Sequence, residues 1–369
     1  MDKNKDCLDC RKNKVGGQAV IEGVMMKHGE DVCLAMRKED GTVEIAKSKF
    51  VSVRKKHKWL NIPILRGVIG FIESMILSLK TLNKSTEILE LDGEQKDEKE
   101  KSSGGGALLI TILGIILGFG LAIALFTWLP GFITKYIEKL TGALNTYLKA
   151  GIEGVIKIII FILYLASTTL MKDMRRVFQY HGAEHKSIAC YESGMELTPE
   201  NARKCTRFHP RCGTSFLFVM LIIGIIVGMF IPVWDNTFLR AAIKLATLPL
   251  IMGVGYEFIM LAGKHDNFVT RFFSAPGLWM QRISTKEPDD YQLAIAICAI
   301  KSSMPEEFPD FDPAQYIMDI EKNKDHIAFT GMKPQEIEER IAKLKAEAEE
   351  KSESPTVEET ETDEDTGNN

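Results

Sequence analysis

Uncharged segments of membrane-spanning length are the dominant pattern along this chain. Residues 107–129 and 215–234 contain no charged residue, and residues 154–171 and 241–262 are apolar with one or two charges. A helix needs about 20 apolar residues to cross the hydrocarbon core of a bilayer. Two uncharged runs of this length are hard to bury in a water-soluble fold, which disfavours core helices of a large soluble protein. The pattern predicts a mainly α, polytopic helical membrane protein with about four transmembrane helices.

The N-terminal region has two further patterns. Residues 32–45 alternate between apolar and polar and contain the turn dipeptide Asp40-Gly41, which predicts a small β-hairpin. Residues 62–82 have apolar side chains at helical spacing, interrupted by charged ones. This spacing predicts an amphipathic helix on the membrane surface, with a re-entrant segment or a fifth span as alternatives.

These elements divide the chain into five parts. They are a mobile N-terminus at 1–15, an N-terminal cytoplasmic region with the β-hairpin and the amphipathic helix at 16–91, a charged linker at 92–106, a transmembrane bundle with its cytoplasmic loop 172–214 and a post-bundle segment at 107–305, and a charged C-terminal extension at 306–369. Within the extension, residues 334–351 are a helix candidate. Residues 352–369 are rich in acids and lack aromatic residues, so they are predicted to be disordered.

The distribution of basic residues predicts the topology. Four spans leave both termini on the same side of the membrane. The loop 172–214 contains eight Lys and Arg residues, whereas the two loops on the opposite side, 130–153 and 235–240, contain four together. Loops rich in Lys and Arg remain cytoplasmic. We therefore expect cytoplasmic termini, a cytoplasmic central loop and an inner-membrane location.

Composition and cysteine content exclude several other classes. The chain has 46 Lys and Arg against 50 Asp and Glu, so a strongly basic nucleic-acid binder is not expected. The seven cysteines have no regular spacing, which argues against a disulfide-stapled secreted domain. Cys7 and Cys10 form a C-x-x-C pair, but no second such pair completes a four-cysteine zinc site.

The strongest chemical signal is the segment His181-Gly182-Ala183-Glu184-His185. Residues four apart share one face of a helix, so His181 and His185 can bind the same metal ion. Glu184 lies between them and is the candidate general base. This H-x-x-E-H arrangement occurs in inverted zinc peptidases. It also requires a third ligand that the motif itself does not contain.

Three residues downstream could complete the site. Cys205, His209 and Cys212 lie in the same predicted cytoplasmic loop as the two histidines. Zinc accepts mixed nitrogen and sulfur ligands in tetrahedral geometry. Four protein ligands would make a closed structural site, whereas three would leave a position open for catalysis. The sequence leaves both alternatives open, as well as unmetallated polar loop residues.

Three other charged residues are secondary candidates. Glu257 lies about five residues from the cytoplasmic end of its predicted span, where it could bind a metal, accept a proton or pair with a basic residue. Arg66 could bind an anion such as a lipid phosphate, although pairing with Glu73 is the favoured interpretation. Glu22 flanks the glycines at 16–17, and this combination suggests tight backbone packing near a site.

Four ordered motifs carry a family resemblance. They are Gly16–Met26, His181–Lys186, His209–Ser215 and Pro276–Gln281. In these motifs the chain resembles the YqhQ-like family of bacterial membrane proteins (domain of unknown function 1385), over roughly residues 16–305. Members are described as predicted metal-dependent enzymes without an established substrate. The resemblance implies that His181, Glu184, His185, His209 and Cys212 are the metal or catalytic candidates.

Together these observations predict a zinc-dependent hydrolase at the cytoplasmic face of the bacterial inner membrane. His181 and His185 would bind zinc or another divalent transition metal, with His209 or Cys212 as third ligand and Glu184 as base. The substrate would be a peptide or a lipid-linked molecule. The alternative is a non-catalytic scaffold or accessory factor in membrane-protein biogenesis or envelope assembly, in which the metal is structural. The lipid bilayer is the expected partner, a protein partner could dock on the C-terminal extension, and no nucleic acid is expected.

Overall fold

The computed structural model describes residues 14–38, 42–93, 113–231 without 115 and 119, 237–264, and 268–316. Several predictions concern residues outside these ranges. They are the mobile N-terminus with Cys7 and Cys10, the Asp40-Gly41 turn, nearly all of the linker 92–106, the helix candidate 334–351 and the disordered segment 352–369.

The N-terminal region forms a four-stranded antiparallel sheet. Its strands are β1 (Val15–Val20), β2 (Gly23–His28), β3 (Asp31–Arg37) and β4 (Val43–Lys49), and they pair in chain order. The predicted β-hairpin is confirmed as β3 and β4, with Arg37 opposite Val43. The sequence did not predict β1 and β2, which are joined by a two-residue turn in which Glu22 adopts a φ of 55°.

Helices make up most of the remaining described chain, so the prediction of a mainly α fold is confirmed. In chain order they are α1 (Val53–Lys56), a 3-10 turn (Lys58–Asn61), α2 (Leu65–Gly93), α3 (Ile116–Thr141) with a π-helical turn (Ala124–Trp128), α4 (Thr146–Thr168), α5 (Lys172–Glu192), α6 (Pro199–Lys204), α7 (Gly213–Phe230), α8 (Thr237–Lys264), α9 (Phe268–Ser284) and α10 (Asp290–Ser303).

Three of these helices are long and apolar enough to cross a membrane. They are α3, α4 and α7, and they overlap three of the four predicted spans. The prediction of a loop from residue 130 was wrong, because α3 continues past the predicted end at 129 to Thr141. The fourth predicted span lies in α8, whose apolar part, Leu245–Leu261, is shorter. The predicted amphipathic helix lies within α2, where Ile72, Ile76 and Leu79 expose about half of their surfaces.

The sheet and two helices form the core that positions the candidate site. Helix α10 lies across β2 and β3 and also packs against α5. Its start is fixed by a capping box, in which Asp289 and Gln292 each bond the other's backbone N–H. Most of α10 is buried, and its apolar residues share one core cluster with Val24 of the sheet and Tyr180 of α5. The opposite face of the sheet packs against the C-terminal half of α2 through Ile88.

Candidate metal centre

Helix α5 brings the two histidines of the H-x-x-E-H motif together. His181 and His185 lie one turn apart, and their ring centroids are 4.4 Å apart. His185 and Glu184 are buried, with 2% and 6% of their surfaces exposed. The motif therefore lies in the protein core, where uncompensated polar groups are costly.

Both imidazole rings are oriented by backbone carbonyl groups. Nδ1 of His181 lies 2.8 Å from the carbonyl oxygen of Ser284, and Nδ1 of His185 lies 2.5 Å from that of Arg207. A carbonyl oxygen only accepts hydrogen bonds, so each Nδ1 donates. Each neutral ring then has its lone pair on Nε2. Histidines that bind metals have this arrangement almost without exception.

Cys212 completes a compact group of three donors. Its Sγ atom lies 3.2 Å from Nε2 of His181, and the ligand atoms of His181, His185 and Cys212 all lie within 4.8 Å of one another. Zinc with Zn–N of about 2.0–2.1 Å and Zn–S of about 2.3 Å separates tetrahedral N and S ligands by about 3.5 Å. Spacing and donor chemistry therefore both fit zinc.

Without a metal, the centre favours a charged histidine–thiolate pair. Burial alone lowers the pKa of His181, but Cys212 and Glu184 raise it to about 9. Burial raises the pKa of the Cys212 thiol, but the two histidines more than compensate and hold it well below its usual value. Thr214 adds a hydroxyl 3.1 Å from Sγ. The thiolate is the form of cysteine that binds metals.

Strand β1 holds Glu184 against the centre. A Cβ atom on Gly17 would lie 2.8 Å from both Cγ and Oε1 of Glu184, so only glycine fits at this position. The Ala19 backbone N–H donates to the Glu184 carboxylate. Burial raises the pKa of Glu184, and this effect is opposed by the two histidines. The paired glycines thus allow the close approach of β1 that orients this carboxylate.

Gln281 is a site residue that we did not single out from the sequence. It is fully buried on α9, its Nε2 donates to the His209 carbonyl (2.6 Å) and to Oγ of Ser215 (2.7 Å), and its Oε1 accepts the His209 N–H (2.8 Å). Gly277, one turn earlier, allows this approach, since a Cβ there would lie 2.9 Å from Ser215. The available signal was the motif Pro276–Gln281, in which a glycine precedes the glutamine by one helical turn.

His209 and Cys205 lie outside the three-residue group. Nε2 of His209 lies 3.3 Å from the carboxylate of Glu192, which also pairs with Arg211. The imidazole ring of His209 is 5.8 Å from that of His185, measured between ring centroids. Burial lowers the pKa of His209. Cys205 instead bonds the Asn201 carbonyl at 3.5 Å.

The secondary candidates form ion pairs away from the centre. Arg66 pairs with Glu257, with Nε 2.6 Å from Oε1. The favoured pairing of Arg66 with Glu73 was therefore wrong, because residues seven apart are separated by about 10 Å along a helix. Glu73 accepts instead from the Val53 N–H at 2.7 Å.

Glu22 is also held by an ion pair. Its carboxylate binds the guanidinium of Arg176, with one contact at 2.5 Å, and Tyr180 lies 3.3 Å away. Arg176 and Tyr180 belong to α5, so this pair fastens the turn after β1 to the helix that carries the two histidines. Glu22 therefore stabilises the centre from outside it.

Comparison with known proteins decides the family. The model of a family described as "Protein of unknown function (DUF1385)" matches residues 62–306. The chain belongs to this family. It is also 36% identical over 291 residues to the "Uncharacterized protein YqhQ" of Bacillus subtilis (strain 168), which covers 76% of this chain and 89% of the Bacillus protein. No solved structure matches the chain.

The DUF1385 match includes the whole candidate centre. His181, His185, Cys212 and Gln281 all lie within residues 62–306, whereas strands β1–β4 precede the matched region. Neither the description of the family nor the name of the Bacillus relative states an activity. Any function must therefore be argued from the residues of the site.

Proposed function

We propose that this chain is an integral inner-membrane protein with a zinc-dependent hydrolytic centre on its cytoplasmic side. His181, His185 and Cys212 would hold the metal. The observation that carries the proposal is the orientation of the two rings: each Nδ1 donates to a carbonyl, which leaves Nε2 facing the buried Cys212 thiolate.

The membrane part of the proposal is supported by the apolar helices and by the charge distribution. Helices α3, α4 and α7 are long and apolar enough to span a bilayer, and α8 would provide the fourth, shorter span. The eight basic residues of loop 172–214 favour a cytoplasmic location for that loop. Helix α5 and Cys212 lie in this loop, so the centre would face the cytoplasm, as would both termini.

The donor set supports catalysis because it leaves a position open. Three protein ligands are typical of catalytic zinc sites, whereas structural sites use four. Zinc would supply Lewis-acid polarisation of a substrate carbonyl or phosphoryl oxygen. Glu184 would take the proton from the attacking water, since burial raises its pKa and the Ala19 N–H fixes its orientation.

An apolar cleft between α4, α7 and α9 supports a lipid-linked substrate rather than a peptide. The cleft has a volume of about 380 Å³ and is lined by Ile162, Phe218, Pro276, Trp279 and Met280. Met280 immediately precedes Gln281, which holds the loop that carries Cys212.

A structural role is the second candidate function. The centre joins three separate parts of the chain: α5, the loop at 205–212 and the end of α9. A metal there would fasten the loop to the bundle without any reaction, and Glu184 would be a buried acceptor for the Ala19 N–H. The protein would then be a scaffold or accessory factor, with the C-terminal extension 306–369 as the docking segment for a protein partner.

Metal analysis of purified full-length protein in detergent tests both roles. Wild type should contain about one zinc per chain. Cys212→Ser and His185→Ala should lose it, whereas His209→Ala is the matched control that should retain it. A wild-type protein without any transition metal, or a His209→Ala variant as depleted as His185→Ala, would contradict the proposed ligands.

Glu184→Gln separates catalysis from structure. If this variant keeps the metal and the unfolding midpoint but loses the cellular phenotype of the wild-type gene, catalysis is supported. If it complements a deletion fully, the metal is structural. Carbonate extraction of cell membranes tests the membrane part separately, because an integral protein stays in the pellet.

A further inference from the structure

A second cavity lies among the apolar helices. It has a volume of about 360 Å³ and lies between α3, α4, α7 and α8. Its lining on α7 extends from Leu217 to Gly228. At 1.5 Å per residue, this lining extends along α7 from about 8 Å to about 24 Å from Cys212. None of the residues that line the cavity belongs to the proposed hydrolytic centre.

Two irregular helices form part of the cavity wall. Phe126 belongs to the π-helical turn Ala124–Trp128. Thr247, Leu248 and Ile251 flank Pro249 inside α8. Proline removes a helical hydrogen bond and bends the helix, and π-helical turns occur frequently at functional sites.

The wall of the cavity also contains two opposite charges. Glu153 and Lys157 lie one turn apart on α4, and Glu153 is only 9% exposed. Each also interacts within the protein, so neither is an isolated charge. Ionisable residues in membrane helices are costly and usually mark functional sites. The rest of the lining is largely apolar, including Phe161 and Leu221.

We propose that this cavity binds a phospholipid whose headgroup contains both a primary ammonium and a phosphate, the phosphatidylethanolamine class. One hydrocarbon chain would lie along Phe161 and Leu221. The ammonium would donate to Glu153, and the phosphate would accept from Lys157. A volume of 360 Å³ is at the small end for ligand pockets, which span about 300–1,000 Å³, so the cavity would hold part of a lipid rather than a whole one.

The charge pattern selects this headgroup over other membrane lipids. A phosphatidylglycerol headgroup carries the same phosphate but has no cation for Glu153. A phosphatidylcholine headgroup has a cation without N–H groups, so it cannot donate a hydrogen bond to the carboxylate. Hydrogen bonds to charged groups are the stronger ones, so the preference for the ethanolamine lipid should be about tenfold. This inference rests on the membrane part of the proposed function and not on the metal.

Native mass spectrometry of the full-length protein in detergent tests the proposal. The protein is delipidated and then incubated with equal amounts of phosphatidylethanolamine and phosphatidylglycerol. Wild type should retain one molecule of the ethanolamine lipid with about a tenfold preference. Glu153→Gln should lose this preference while still binding lipid. Equal retention of both lipids by wild type, or an unchanged preference in Glu153→Gln, would overturn the headgroup assignment.

A filled cavity provides the second test. Gly224 lines the cavity, and a Cβ added there would meet only Ile251 among the described atoms, at 3.7 Å. Gly224→Leu should therefore abolish lipid retention without blocking folding. Gly118→Leu is the matched control, because it lies outside the lining and no described atom is within 4 Å of its added Cβ. Retention by Gly224→Leu equal to that of Gly118→Leu would refute the site.

Discussion

Replacing Gln281 tests whether a residue that is not itself a proposed ligand positions the ligands of the metal centre. The Gln281 amide makes three hydrogen bonds, two to the backbone of His209 and one to Ser215, at 2.6–2.8 Å. Gln281→Met conserves volume and removes all three. Each hydrogen bond contributes about 0.5–1.5 kcal/mol net, and more where a buried partner is left unpaired. We expect the free energy of unfolding to fall by about 2–4 kcal/mol.

The same substitution should weaken metal binding. The segment held by Gln281 lies between Arg207, whose carbonyl orients His185, and Cys212. Loss of a partner that orients metal ligands typically costs about 10–100-fold in affinity. Zinc affinity is measured by competition with a chromogenic chelator, and unfolding is followed by intrinsic fluorescence in detergent.

Gln292→Met is the matched control for this experiment. Gln292 is also buried, with 1% of its surface exposed, and accepts the Asp289 N–H at 3.0 Å in the capping box of α10. Its loss should destabilise the fold and leave zinc affinity within about threefold of wild type. If Gln281→Met binds zinc as tightly as Gln292→Met does, the orienting role of Gln281 is refuted.

Three further predictions use stability measurements. Gly182→Ala would place a Cβ 2.0 Å from the Lys286 carbonyl oxygen and should lower the free energy of unfolding by more than about 2 kcal/mol. Its control is Gly151→Ala, which has no described atom within 4 Å of the added Cβ and should stabilise α4 by about 0.5–1 kcal/mol. Equal thermal midpoints for the two variants would contradict this prediction. Burial raises the pKa values of Cys33 and Cys298 to about 11 and about 12. The fold keeps these thiols protonated, so their contribution to stability should be full below pH 9 and lost as pH rises towards 11. Replacing both by alanine should flatten that decline. A chelator should lower the unfolding midpoint, and zinc at 100 times its Kd should restore about 2.7 kcal/mol; a midpoint indifferent to both would count against a bound metal.

The helices and the second hairpin could be predicted because their patterns are local. Apolar runs with at most one charge marked α3, α4 and α7, and alternation marked β3 and β4. Strand β2 escaped prediction because residues 23–26 are buried on both faces. Such a strand has no alternation between apolar and polar positions, so its sequence does not identify it.

The candidate site was predictable only in part. The spacing of His181 and His185 is a property of one helix, so the sequence was sufficient to pair them. The choice among Cys205, His209 and Cys212 depends on how the following loop turns. Gln281 accepts a hydrogen bond from the His209 backbone in that loop, and the His209 side chain contacts Glu192 instead of joining His181, His185 and Cys212. Gln281 and Glu192 both lie on helices outside that loop, so no local pattern in the loop identifies them as its partners.

The pairing of Arg66 with Glu257 shows the same limit over a longer distance. These residues are 191 positions apart, and their contact arises where α2 packs against α8. Gly67 allows that packing, since a Cβ there would lie 2.7 Å from Tyr256. Periodicity within either helix identifies an exposed or interior face but does not identify the partner.

The position of α10 has a consequence for how the chain is made. Strands β1–β4 leave the ribosome early, whereas the helix that covers β2 and β3 follows about 240 residues later, which at about 5–20 residues per second is a delay of about 10–50 s. During that interval the nascent sheet lacks its cover, and an uncovered apolar face invites aggregation. A chain truncated before residue 290 would therefore keep the α10-facing side of β2 and β3 exposed, and we expect it to aggregate.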